Sequence, residues 1–136
     1  MPLRQFAMSS ETLILIGGAF NIGFLVFHVL FYRLFNWDQD LKSLTLINRQ
    51  VMQILNLSLT FAFAIFAYIS IFHAREMLAS SLGQSLLLLI SVFWWLRAAE
   101  QVVFFGLTKP LSIVFFVIFV CGGFLYAIPW YSTIGT

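Results

Sequence analysis

INRQVMQILNLSLTFAFAIFAYISIF, residues 47–72, admits one kind of element. It exceeds the ~20 apolar residues that a helix needs to cross a ~30 Å hydrocarbon core. Its polar members are not scattered. Arg49, Gln53, Asn56 and Thr60 follow one another at helical spacing, and the same line continues as Ala64 and Ala67, small residues that let a second helix come close. A polar side chain facing hydrocarbon is costly, so such a stripe turns toward other protein or a watery cavity. The segment predicts a membrane-spanning helix with partners.

Three further apolar runs flank it: Thr12 to Leu34, Leu82 to Phe105 and Leu111 to Trp130. Backbone polar groups in lipid must be satisfied internally, which leaves helices as the form for all four. The alternation that a transmembrane barrel requires is missing. The first run is too long for a signal-peptide core of roughly 7–15 residues, and it reads as a retained helix. Composition agrees. The 136 residues are 62% hydrophobic and 18% aromatic, 17 of them Phe, with only 9% charged, against roughly 25% charged in soluble domains.

The connections are short and polar. Asn36-Trp37-Asp38-Gln39-Asp40 opens a segment that ends at Thr45, Ala74-Arg75-Glu76 leads to Ser80-Ser81, and Gly106 to Pro110 makes the last turn. Short links give antiparallel neighbours, so the expected fold is all-α: a single domain over 1–136, an integral membrane up-down-up-down four-helix bundle. The face with residues 35–46 and 106–110 carries Arg33, Lys42, Arg49 and Lys109, the other Arg4 and Arg75. The positive-inside rule makes the first face cytoplasmic.

The net charge of +2 is spread along the chain without a basic run, which excludes a nucleic-acid partner. Cys121 stands alone, so no disulfide or Cys-based metal cluster forms within the chain, and it reads as a packing residue. His28 and His73 fall near opposite faces, too far apart for one haem. His28 with Glu100 falls short of the three protein ligands of catalytic zinc. His73, flanked by Arg75 and Glu76, reads as an interfacial anchor. Phosphate-loop, zinc-protease and serine-hydrolase signatures are lacking. The sequence calls for no metal and no cofactor.

What remains is a polar layer. At 1.5 Å per residue, His28 lies about 9 Å inside the end of the first span, and Gln53 and Asn56 about 8 and 12 Å inside the start of the second. Arg97, Glu100 and Gln101 lie about 13, 9 and 7 Å from the end of the third. Gly17, Asn21, His28 and Tyr32 share a face of the first helix; Trp94, Arg97, Ala98 and Gln101 cluster on the third, with Glu100 about 60° away. The fourth span offers Ser112 and the pair Gly122-Gly123, which suits packing. A site lined by His28, Arg49, Gln53, Asn56, Trp94, Arg97, Glu100 and Gln101 is the expectation.

Such a site suits a small amphiphile, lipid- or quinone-like, with Arg97 and Arg49 holding an anionic head and apolar walls receiving the tail. Two other classes stay open: a structural or accessory subunit of a larger membrane complex, and a membrane enzyme that uses His28 and Glu100 for proton transfer. Membrane lipid is the surrounding partner, and a membrane-protein partner or a homo-oligomer is compatible with the small-residue faces of the second and fourth spans.

Phe35-Asn36-Trp37-x-x-x-Leu41, then Leu46-Ile47-Asn48-Arg49-Gln50, then Trp94-x-x-Arg97, together resemble a pattern in small bacterial four-helix integral membrane proteins of unassigned function. The overall plan loosely resembles the DoxX-like proteins. The resemblance implies the fold and a bacterial inner membrane, multi-pass, and it transfers no catalytic residue.

Overall fold

The computed structural model describes residues 8–135; Arg4, counted above in the charge balance, lies outside them. Ser9 opens the first helix: its hydroxyl accepts the Thr12 amide at 3.1 Å, while Glu11 complements the positive end of the helix dipole. This helix, α1, spans Ser10–Val29. It is followed by α2 (Phe31–Leu34) and α3 (Trp37–Asp40), with Asn36 between them in the left-handed conformation at φ 49°. A 3-10 turn, Leu41–Ser43, leads on to Thr45, whose hydroxyl caps α4, Leu46–Phe72.

The chain continues as α5 (Ala74–Ala79) and α6 (Ser81–Glu100), the latter capped by the Ser80 hydroxyl on the Gly83 amide at 3.0 Å. A π turn over Gln101–Phe105 extends α6 to the sharp bend at Gly106, φ 68°. Pro110 starts α7, Pro110–Ile134, where its missing N–H costs nothing. Among the described residues there is no strand, and four helices are long and apolar enough to cross a membrane.

Two boundaries differ from expectation. The first span does not run unbroken to Leu34; it is interrupted at Leu30, where Phe31 stacks on His28 with centroids 4.1 Å apart and then meets Trp37 at 5.9 Å. The fourth does not stop at Trp130. Pro129 is accommodated inside the helix, and the Ser132 and Thr133 hydroxyls satisfy the carbonyls of Pro129 and Trp130 at 2.6 and 2.7 Å.

α1 lies between α4 and α7, and α7 lies between α1 and α6. The backbones of α4 and α6 scarcely approach each other. Aromatic rings fill that gap: Phe63 stacks on Trp94 at 5.5 Å and 16°, and Phe93 reaches Phe63 and Phe66 at 5.9 and 5.3 Å. Trp94, fully buried, is the hub of the core, touching Phe20, Phe24 and Phe119 as well. Each such ring pair adds roughly 0.5–1.5 kcal/mol beyond area burial. The rings fit because α7 is smooth opposite them: a Cβ on Gly122 would stand 2.8 Å from the Phe20 ring, and one on Gly123 2.6 Å from Trp95.

The helix ends meet in two groups. Ser10 and Ser132 share a 2.9 Å hydroxyl contact, and Arg75 Nε donates to Glu11 Oε1 at 2.9 Å, which gathers the start of α1, the end of α7 and α5. Elsewhere Gln101 Nε2 donates to Ser112 Oγ at 2.9 Å, and Ser112 in turn donates to the Gly106 carbonyl. That chain closes the α6–α7 turn and gives the Gln101 amide a structural bond.

Candidate functional site

His28 and Asn56 form the centre of the layer. Asn56 sits on the polar stripe of α4, and its side chain reaches across to α1 twice: Nδ2 donates to the His28 carbonyl at 3.0 Å, and Oδ1 lies 2.9 Å from the ring Nδ1. The first bond fixes the amide orientation, so Oδ1 accepts and Nδ1 carries the proton; a neutral ring then keeps its lone pair on Nε2. The imidazole is almost fully buried between Phe31 and Phe63. Thr60 continues the stripe, its hydroxyl bonding back to the Asn56 carbonyl at 2.7 Å.

Next to this pair a cavity of about 390 Å³ is lined by Val29, Tyr32, Trp37, Gln53 and Asn56. The volume lies within the roughly 300–1,000 Å³ range of small-molecule sites. Its wall is built by the break in α1. α2 carries Tyr32, and after the left-handed turn at Asn36 Trp37 lines the same cavity as Gln53 and Asn56 of α4. Arg49 holds that segment in place: Nε donates to the Leu41 carbonyl at 2.9 Å and Nη2 to the Lys42 carbonyl at 3.3 Å. Gln53, one turn further along α4, is exposed to the cavity, and no hydrogen bond to its amide occurs among the described residues.

The other expected residues fall elsewhere. Arg97 Nη1 donates to Glu100 Oε2 at 2.6 Å, and its guanidinium carbon sits 4.6 Å from the Phe119 ring centroid, a cation–π contact. Glu100 pairs with Arg97 and not with the imidazole. Trp94 is core, with an indole N–H that finds no acceptor. Of the eight expected site residues, Gln53 and Asn56 line the cavity, His28 backs it and Arg49 shapes it. Arg97 packs on α7 and pairs with Glu100 on its own helix, Gln101 bonds to α7, and Trp94 is the centre of the core between α1, α4 and α7. Neither Arg49 nor Arg97, expected to hold an anionic head together, lines the cavity. No cluster of three metal-ligating side chains occurs among the described residues.

One polar centre lay beyond the sequence reading. Tyr126 of α7 is fully buried, its hydroxyl 2.7 Å from Ser70 Oγ and accepting from Asn21 Nδ2 at 2.8 Å. Asn21 also donates to the Gly17 carbonyl at 2.8 Å, while its Oδ1 has no partner. Gly17 is what makes room: a Cβ there would lie 2.7 Å from the Tyr126 hydroxyl. This triad ties α1, α4 and α7 together. Ser70 extends the α4 stripe by one more step after Ala67, the signal that could have pointed to it.

No family model, curated protein or solved structure matches the chain.

Proposed function

We propose that this chain is a multi-pass protein of the bacterial inner membrane, an up-down-up-down four-helix bundle. In this reading its cavity beside His28 and Asn56 binds a neutral, carbonyl-bearing amphiphile. The membrane reading is supported by the outer surface: Leu46, Ile47, Leu57, Phe61, Val103 and Phe104 are all more than half exposed, and soluble monomers rarely expose such continuous apolar area. The two groups of helix ends support alternating direction. Arg33, Lys42, Arg49 and Lys109 against Arg4 and Arg75 support a cytoplasmic position for the cavity end. The resemblance to small bacterial four-helix proteins points to the same membrane.

The observation that carries the ligand reading is the cavity itself and the donors around it. Gln53 Nε2 and Trp37 Nε1 supply N–H groups on a partly aromatic wall, beside Tyr32, whose own hydroxyl donates to Asp38 Oδ1 at 3.5 Å. Carbonyl oxygens, without a formal charge, complement them. A quinone and the ester region of a lipid share that chemistry.

The test uses the full chain in lipid nanodiscs, with Trp95 and Trp130 replaced by Phe so that Trp37 reports beside the buried Trp94. Titration with a short-chain benzoquinone should quench Trp37 saturably. Gln53→Leu removes one hydrogen bond, about 0.5–1.5 kcal/mol, and should weaken the binding about three- to tenfold. Displacement of the quinone by a diacylglycerol would assign the site to lipid esters, and resistance to displacement to quinones. Linear quenching, identical in both variants, would reduce the effect to partition into the bilayer and defeat the proposal.

A further inference from the structure

The opposite end of the bundle holds a second cavity, of about 240 Å³, where α1, the end of α4 and α5 meet. Its polar rim combines both signs of charge. Arg75 Nε is engaged by Glu11 Oε1 at 2.9 Å, and His73 Nδ1 lies 2.6 Å from Glu76 Oε2. Each group spends only part of its capacity there. The Arg75 guanidinium retains its two terminal nitrogens, and the side chain is 85% exposed; Glu11 and Glu76 each retain one carboxylate oxygen with no bond among the described residues. Beside this rim, Leu15 and Phe72 expose apolar surface, the latter by 69%.

A planar guanidinium fork matches two phosphate oxygens. Carboxylate oxygens accept N–H bonds from a primary ammonium, but a trimethylammonium has none to give. The cavity is smaller than the roughly 300 Å³ lower bound of sites that enclose a whole drug-sized molecule. It suits a headgroup whose chains lie outside, along Leu15 and Phe72. We infer that this corner binds the phosphoethanolamine headgroup of a membrane lipid, phosphate toward Arg75 and ammonium toward Glu76 and Glu11. The inference rests on the membrane reading and is independent of the cavity beside Asn56.

The experiment incorporates the full chain into nanodiscs of equal phosphatidylethanolamine and phosphatidylcholine, then counts lipids retained after mild detergent extraction by native mass spectrometry. Phosphatidylethanolamine should be retained over phosphatidylcholine about two- to fivefold, the scale of exposed ion pairs. E76Q should bring that ratio toward one, and R75Q should lower retention of both lipids, with far-UV circular dichroism unchanged in each. Equal retention by the wild-type chain, or a preference that survives both substitutions, overturns the inference. Soluble glycerophosphoethanolamine should compete only weakly, since it lacks the chains that lie along Leu15 and Phe72; competition as strong as the lipid's own would overturn the lipid as its source. A chain that does not enter the discs defeats the membrane reading; one that enters without preference defeats only this inference.

Discussion

The link between His28 and Asn56 makes a prediction that can be resolved into its parts by a double-mutant cycle. Asn56→Leu removes both bonds to α1, the one to the ring and the one to the backbone carbonyl. His28→Phe removes the ring bond alone, since Phe keeps a flat ring to stack on Phe31 and Phe63. Interhelical hydrogen bonds in membrane proteins contribute about 0.6 kcal/mol on average and at most about 1.7. Asn56→Leu should therefore destabilise by about 1–3 kcal/mol, the upper end reflecting the buried Nδ1–H left without an acceptor. His28→Phe should cost about 0.6–1.7 kcal/mol, and the double variant should fall short of the sum by about 0.6 kcal/mol or more. The assay is reversible unfolding in mixed detergent micelles, followed by circular dichroism. Additivity within about 0.3 kcal/mol would show that ring and amide do not interact, and the centre proposed for the site would be gone.

Two other perturbations separate packing from positioning. Gly17→Val drives a side chain into the Tyr126 hydroxyl, 2.7 Å from the new Cβ, and should cost about 1–3 kcal/mol in the same assay; Gly23→Val, with nothing within 4 Å, should stay within about 0.5 kcal/mol, and equal effects would refute the close approach. Arg49→Ala frees the Leu41 and Lys42 carbonyls and should speed amide exchange in residues 36–45 about three- to tenfold while leaving α7 unchanged. Unchanged exchange would deny Arg49 its role in holding Trp37.

The sequence exposes the four long helices because apolar length is a local property. It exposes the α4 stripe because helical spacing is local too, and Asn56, Thr60, Ala67 and Ser70 all turn inward or toward α1 as that spacing requires. Which polar groups meet across helices is not local. Arg49 belongs to the stripe, yet the carbonyls of a loop wound close by capture it. Glu100 is three residues from Arg97, and that proximity on one helix outcompetes any partner on α1. Tyr126 meets Asn21 across 105 residues of chain, which no pattern within either helix encodes. The interruption at Leu30, which creates the cavity wall, has neither Gly nor Pro to announce it.

The aromatic seam between α4 and α6 has a mechanical meaning. Hydrogen bonds fasten α4 to α1, α1 to α7 and α6 to α7, but among the described residues none crosses from α4 to α6. Rings can slide over one another without stranding a donor or acceptor. Under sideways tension the bundle therefore parts like a book, with α1 and α7 as the spine and Phe63 and Phe93 as the edges of facing pages.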